Sequence, residues 1–373
     1  MRLAILGARG IPARYGGFET FAEKLAIGLT ERGVSVTVFC ELGEDASPAS
    51  YQGVALRYIA APNLGPLRTI LFDLRSLWTA RKGYDVVYML GYGAAPFCLI
   101  PRLWGNEVWI NPDGLEWARA KWGFVAKSYF KLMEWVSVRV ANRVIADAAA
   151  IAACLRKRQG EPKACSVIAY GCELVENPPA TEELAEWNLT PGSYYIVVCR
   201  LEPENHVLEI LEGFRRSQSG KRLIVVGNHK LQNVYVAKLL GACTENVQMI
   251  GTIYDRDKLA ALRFYAFGYL HGHSVGGTNP SLLEAMGCGN LILAHENAFN
   301  RETLGENALF FRDAVQLAEQ IDEIEGASIE AGKLRAGAKA RARACYQWTH
   351  IVEQYARLLD ATAAIREASS APS

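Results

Sequence analysis

The sequence lacks long apolar runs, clustered cysteines and an excess of either charge. The uncharged stretch Val86–Pro101 falls short of the ~20 residues a spanning helix needs, and Gly91, Gly93 and Pro96 interrupt it. An integral membrane protein is therefore not expected. No secretory signal is visible, because residues 1–7 read as a strand that runs directly into a glycine-rich loop. The nine cysteines form no CxxC pair, and Cys98 and Cys199 sit in apolar runs. Reduced core thiols in a cytosolic protein are the expectation. Forty Lys and Arg against 39 Asp and Glu leave a net charge of +1, which argues against a bulk nucleic-acid coat protein or an acidic buffer protein. Neither HExxH nor HxE occurs, so no catalytic zinc is expected. The absence of GxGxxG disfavours an NAD oxidoreductase.

What is present is a chain of 373 residues, 50% hydrophobic and 21% charged, enough for a core in two or three domains. The near-neutral sum hides a split. Residues 1–180 carry 21 basic and 16 acidic side chains, and residues 181–373 carry 19 and 23. The basic half invites a search for a surface partner. Short strands are expected at Leu3–Leu6, Val34–Cys40, Val54–Ile59, Val86–Leu90, Val108–Ile110, Arg143–Ala146 and Ser166–Ile168. Helical spacing separates them, as at Phe18, Phe21, Leu25 and Leu29. Asn177-Pro178-Pro179 reads as a linker. The pattern then restarts, with strands at Tyr195–Cys199, Leu223–Val226, Val247–Ile250, Gly268–Leu270 and Leu291–Ala294. Two doubly wound α/β domains follow from this alternation. A last amphipathic stripe, Trp348, Ile351, Val352, Tyr355 and Leu358–Leu359, reads as a helix that packs on a neighbour, for which the first domain is a candidate.

Five segments carry possible chemistry. GARGIPARYGGFET (7–20) follows a strand and opens a helix, where backbone N–H groups and the helix dipole favour an anion; a tight turn built for geometry alone is the plainer reading. NPDGLEWARAKW (111–122) follows a strand's carboxyl end, the ligand side of an open α/β sheet. It brings Asp113, Glu116, Trp117 and Lys121 there, although Asp113-Gly114 also reads as a simple turn. In CRLEPENH (199–206), Arg200 is placed to grip a diphosphate or to pair with Glu202 or Glu204. HGHSVGGTNPSLLEAMGCG (271–289) places Gly276, Gly277, Thr278 and Asn279 before a helix that starts near Pro280. Glu284 lies about one turn inside, where a carboxylate can take a ribose diol or simply sit exposed. His271 and His273 alternate along a strand and so should point to opposite faces. Finally, Arg119–Arg143 interleaves six basic residues with aromatics against Glu134 alone. That pattern suits an anionic membrane surface or an ordinary solvated helix.

Together these motifs resemble the retaining glycosyltransferases of family 4, within them the bacterial rhamnosyltransferase-like group, whose N-terminal sequence reads much like GARGIPARYGGFET. The resemblance covers nearly the whole chain. It implies the GT-B architecture: two Rossmann-like doubly wound domains facing a central cleft, here 1–178 for the acceptor, 179–346 for the nucleotide sugar, and 347–368 as a helix crossing back. It places Arg200 on the diphosphate-binding arginine and Glu284 on the ribose-binding glutamate. Gly16 and Gly17 fall on the glycine loop beside phosphates and sugar, and Asp113 falls close to a histidine near the reacting sugar. Asn205 and Gly276–Asn279 complete the donor set, and Tyr15, Glu116, Trp117 and Lys121 the acceptor set. The chain departs from the pattern at Gly276, where the family has its first glutamate, at Asn205 for a lysine, and at Asp113 for a histidine. The resemblance implies a retaining, metal-independent, cofactor-free transfer from a nucleotide sugar and is less specific for the sugar; the expectation is L-rhamnose from dTDP-rhamnose to a lipid-linked saccharide in surface-polysaccharide assembly, without nucleic acid, in the cytoplasm, with Arg119–Arg143 suiting the inner face of the cytoplasmic membrane. Another NDP-sugar such as a UDP-hexose, a nucleotide-sugar epimerase or other GT-B enzyme, and a non-catalytic nucleotide-sugar-binding protein are the alternatives.

Overall fold

The computed structural model describes residues 1–13, 16–43, 48–65, 67–230 and 233–370. The chain divides into two compact units. Unit 1 comprises Met1–Trp117, Phe124–Tyr170 and the chain from Trp348 on; unit 2 comprises Ala118–Gly123 and Gly171–Gln347.

Unit 1 is built on an eight-stranded sheet: β1 (Arg2–Leu6), β2 (Ser35–Glu41), β3 (Ser50–Tyr51), β4 (Val54–Ile59), β5 (Val86–Leu90), β6 (Glu107–Asn111), β7 (Arg143–Ala146) and β8 (Cys165–Val167). The order is β3-β4-β2-β1-β5-β6-β7-β8. All pairings are parallel except β3 with β4. β5 (VVYML) and the centre of β6 (Val108, Trp109, Ile110) are continuous apolar runs because these strands are covered on both faces, and all of these residues are buried. The helices are α1 (Gly17–Glu31), α2 (Leu67–Ala80), α3 (Leu99–Leu103), α4 (Phe124–Val140) and α5 (Ala149–Gln159). The order reverses between β1 and β5, and loops at the carboxyl ends of such strands form the ligand side of an open sheet.

Unit 2 repeats the plan with β9 (Tyr194–Val198), β10 (Arg222–Val226), β11 (Val247–Gly251), β12 (Gly268–His271), β13 (Leu291–His295) and β14 (Leu309–Phe311). All are parallel, in the order β11-β10-β9-β12-β13-β14. Its helices are α6 (Val207–Arg216), α7 (Val234–Ala242), α8 (Arg256–Phe264), α9 (Pro280–Cys288), α10 (Ala298–Leu304), α11 (Ala314–Gly326) and α12 (Ser328–Cys345). The reversal falls at β9/β12, so the loops after these strands meet at the switch point. Both carry sequence motifs.

The change of unit comes at Tyr170/Gly171, ahead of the Asn177–Pro179 linker. Cys172 donates its N–H to Tyr346 O (2.7 Å) and Val175 to Gly287 O (3.1 Å), which ties the segment to unit 2 before the prolines begin. Residues 118–123 also belong to unit 2. The last helix, α13 (Trp348–Ser370), belongs to unit 1. Its Trp348 and Tyr355 rings lie 6.2 and 5.9 Å from Phe21 on α1.

Candidate active site

In unit 1, Asp113 follows β6 in a turn with positive φ at both Asp113 (48°) and Gly114 (82°). The Asp-Gly turn is therefore real, and it delivers a half-buried carboxylate. A buried chain of hydrogen bonds fixes that carboxylate. Tyr170 Oη donates to Asp113 Oδ1 (3.1 Å), and Asp113 N–H donates to Asn111 Oδ1 (2.9 Å). Asn111 Nδ2 in turn reaches Tyr88 Oη (3.4 Å), whose hydroxyl lies 2.8 Å from that of Tyr355 on α13. Burial, then the Asp113 charge, raises the Tyr170 hydroxyl far above its ordinary value and keeps it a donor.

The glycine loop is held from its own helix. Gly16 caps α1 at φ 107°, and a Cβ there would lie 2.2 Å from Glu19 Oε2, so glycine is required. Gly17 is the first helical residue rather than part of the loop. Glu19 accepts the N–H of Arg9 (3.2 Å), and Glu23 that of Ala13 (2.5 Å). Two loop donors that suited an external anion are thus occupied by carboxylates of α1. Tyr15 lies outside the described residues.

Glu116 donates its N–H to Tyr92 Oη (3.0 Å). Trp117 gives its indole N–H to the fully buried Glu134 (2.6 Å), beneath the guanidinium of Arg158 at 4.1 Å. Lys121 belongs to unit 2 and places Nζ 4.0 Å from Glu202. Lys121, expected in the acceptor set, shares this Glu202 neighbour with Arg200.

In unit 2, Arg200 lies just beyond β9, half-exposed, with Nη1 3.9 Å from the same Glu202. Glu202 thus sits beside two cations. Glu204 is buried with no hydrogen-bond partner for either oxygen. Burial raises it, and the neighbouring Glu202 adds to that. Asn205 ties the two switch-point loops together: Nδ2 donates to Arg200 O (2.7 Å), and Oδ1 faces His273 Nδ1 (2.7 Å). The amide orientation makes His273 Nδ1 the donor. Burial, then His271, Arg119 and Arg200, lowers His273 far below the usual histidine range, so the ring is neutral and its Nε2 accepts.

That Nε2 accounts for Gly276. The glycine has φ 140°, which strains any side chain, and a Cβ would press His273 Nε2 at 3.0 Å, so glycine suits this position better than glutamate. The expected opposite placement of His271 and His273 does not hold: residues two apart along an extended chain share a face, and the two rings lie 6.1 Å apart just where β12 ends. Asn279 caps α9, its Oδ1 accepting from Ser281 N (3.0 Å), with Pro280 first in the helix. Gly277 is half-buried and Thr278 buried in the loop between. Glu284 is half-exposed on α9 and pairs with Arg263 Nη2 at 2.6 Å.

One His/Glu group among the described residues brings metal-capable atoms within 4.8 Å: His206, Glu209 and His295. The rings of His206 and His295 stack at 4.2 Å with 27° between planes, so their lone pairs run side by side rather than converging. His206 is already bonded to Glu209 (2.8 Å) and Ser274 (3.0 Å). His206 thus joins the loop after β9 to the loop after β12 by a hydrogen bond and stacks on His295 at the end of β13.

Residues 207–357 match the family model described as "Glycosyl transferase-like". Residues 1–173 match a domain of unknown function (DUF1972). The fold is similar to that of sucrose-phosphate synthase from Thermosynechococcus elongatus, with a TM-score of 0.84 at 19% identity over 98% of this chain and 99% of that one. It is also similar to HepE of Anabaena, solved with UDP-glucose (TM-score 0.78, 15% identity, 96% and 99% covered). A third match is alpha,alpha-trehalose 6-phosphate synthase from Burkholderia multivorans (TM-score 0.74, 13% identity, 100% and 98%). No curated protein sequence matches significantly. The chain has the GT-B fold, and its second half carries a glycosyl transferase-like domain.

Two features of the fold escape sequence reading. Arg263 is buried on α8, with Nη2 also 3.2 Å from Ser281 Oγ, and no motif surrounds it. In unit 1, a cavity of about 370 Å³ opens beside the glycine loop, lined by Arg9, Glu19, Glu41, Arg68, Phe72 and Asp73. Asp73 is buried with Oδ1 unpartnered, and burial lifts it to about 7. A lone Asp on an amphipathic helix gives no local signal of that environment. Among the described residues, no helix is long and apolar enough to cross a membrane.

Proposed function

We propose that this enzyme transfers L-rhamnose from dTDP-rhamnose, with retention, to a lipid-linked saccharide acceptor at the cytoplasmic face of the membrane, in surface-polysaccharide assembly. The observation that carries a nucleotide-sugar donor is Arg200, a half-exposed guanidinium at the β9/β12 switch point with Lys121 sharing its Glu202 neighbour. A diphosphate arriving there takes the place of Glu202 as counter-charge. Breaking the glycosidic bond leaves charge on the phosphates and an oxocarbenium-like sugar. Arg200 and the backbone N–H groups of Gly276–Asn279 stabilise the phosphates as they leave. Glu284, oriented by Arg263, takes the ribose diol. The proposal assigns Asp113 to the reacting sugar, Gly16 and Gly17 to the donor's phosphates and sugar, and Tyr15, Glu116, Trp117 and Lys121 to the acceptor. In same-face attack the leaving phosphate accepts the acceptor proton, so the proposal assigns no protein nucleophile. Domains 1–178 and 179–346 and the 347–368 helix keep their proposed division of labour between acceptor and donor.

HepE, solved with UDP-glucose, favours a UDP-hexose as the second reading. The test is a transfer assay with dTDP-rhamnose and UDP-glucose in parallel against lipid-linked GlcNAc, with product linkage determined. Rhamnosyl product with the donor's anomeric configuration supports the proposal. Glucosyl product alone replaces the donor. Tight donor binding without transfer or hydrolysis makes the protein a binding module.

A further inference from the structure

The helix α4 is built inside out. Its buried face carries Met133, Ser137, Val138 and the carboxylate of Glu134. Its exposed stripe runs Val125, Ser128, Leu132, Trp135 and Arg139 at three- and four-residue spacing, with Phe124 at the start. A solvated helix shows the reverse.

The stripe continues onto α3 and α2. Arg102 on α3 donates to the carbonyls of Arg139 (3.1 Å) and Val140 (2.6 Å). The next residues, Leu103 and Trp104, are 77% and 49% exposed, and the Trp104 ring lies 6.1 Å from that of Trp78 on α2, itself 51% exposed. Arg81 stacks 4.0 Å from the Trp78 ring and 5.8 Å from that of Trp104, and Arg139 stacks 4.0 Å from Trp135. The acidic residues on α2, α3 and α4 are Asp73 and Glu134, and both are buried. The charges these helices and the turn after α2 present are Arg81, Lys82, Arg102, Lys127, Lys131 and Arg139, with the half-buried Glu107 at the start of β6 the acid near Arg102.

We infer that this α2–α3–α4 face docks the enzyme on an anionic lipid bilayer, with Trp78, Trp104, Trp135 and Leu103 entering the headgroup boundary and the arginines beside them meeting lipid phosphates. Apolar area of this kind is rarely left to water. Half-exposed tryptophans suit the polar-apolar boundary, and a basic rim is complementary to anionic headgroups. A second copy docking through the same patch would bring like charges together. The inference deepens the proposed membrane-side reaction by naming its surface, and extends it beyond the α4 segment.

The test is co-sedimentation with vesicles of phosphatidylcholine and phosphatidylglycerol in equal parts, against pure phosphatidylcholine, at low and high salt. The wild-type enzyme should bind the mixed vesicles and weaken as salt rises. The double variant Leu103→Asp/Trp104→Ser should lose binding by roughly tenfold or more. Arg81→Gln/Arg139→Gln should lose roughly 30-fold at low salt, at about 1 kcal/mol per basic residue, with a flatter salt dependence. Circular dichroism and melting verify that each variant folds. No wild-type binding, variants that bind as wild type does, or variants that dissolve a dimer while vesicle binding stays intact each overturn the proposal. Transfer to a water-soluble acceptor without vesicles reads the reaction separately. Failed transfer with intact, variant-sensitive vesicle binding removes the reaction and keeps the docking face.

Discussion

The buried guanidinium of Arg263 grips the half-exposed carboxylate of Glu284 at 2.6 Å, across from α8 to α9. The pair fixes the carboxylate before any ligand arrives. It also leaves the arginine dependent on it, because a buried cation without its partner is costly. Glu284→Ala should therefore lower stability by about 2 kcal/mol, below the 3–5 kcal/mol of a fully buried pair. Glu284→Gln keeps an acceptor for Arg263 and should cost less. Both should raise KM for the nucleotide sugar. Melting curves and donor KM for the two variants check this; an unchanged donor KM in both would remove Glu284 from the ribose.

Arg200 makes the opposite case. Its side chain is half-exposed and approaches Glu202 at 3.9 Å, so the fold gains little from it. Arg200→Ala should leave stability within about 0.5 kcal/mol and cut turnover by roughly 10²–10³, as loss of a charge-stabilising donor does. Near-normal turnover in the single-variant assay would end its assignment to the diphosphate.

The helix α13 buries Ile351, Val352, Tyr355 and Leu359. At roughly 1.5–3 kcal/mol for each fully buried side chain, these four account for about as much as the 5–15 kcal/mol that holds a whole domain together. Removal of residues 348–373 should leave unit 1 unfolded, read as loss of soluble, cooperatively melting protein. Tyr355→Phe is the finer probe. It removes the 2.8 Å bond to Tyr88 and should cost about 1 kcal/mol. Because Tyr88 leads through Asn111 to Asp113, turnover should fall as well. A stability loss with unchanged kcat would disconnect the network from the reaction.

The strands Val54–Ile59, Val86–Leu90 and Arg143–Ala146 are legible to the residue because β-branched runs bounded by turn residues encode them locally. β3 is two residues long, and β14, Leu309–Phe311, is three; neither is long enough to show a period. Gly16 and Gly276 are legible for a related reason, since positive φ is a local demand. The partners that shape the site are not local. Arg263 meets Glu284, Glu134 meets Arg158 and Trp117, and Asn205 meets His273, all through sheet order and helix packing. Glu134 shows the consequence: as a letter it moderates a basic segment, whereas in the fold it is withdrawn and the exposed face becomes uniformly basic.

Asp73 gives the chain a pH dependence that composition does not reveal. Burial lifts its carboxyl from 3.8 to about 7. Between these values the unfolded chain has released the proton while the folded chain holds it, so stability falls as pH rises from about 4 to about 7, by up to about 1.4 kcal/mol per unit. Above about 7 both states are ionised and the contribution is constant. Asp73→Asn removes the charge without changing the shape, so the variant should match wild type near pH 4 and melt higher than wild type near pH 8. The side chain also lines the cavity beside Arg9 and Arg68. If that cavity takes a sugar hydroxyl, acceptor KM should change across pH 7 in wild type and lose that change in Asp73→Asn. Parallel melting curves of the two proteins from pH 4 to pH 8 decide the first point, and a gap that does not widen with pH would mean that Asp73 is ionised throughout.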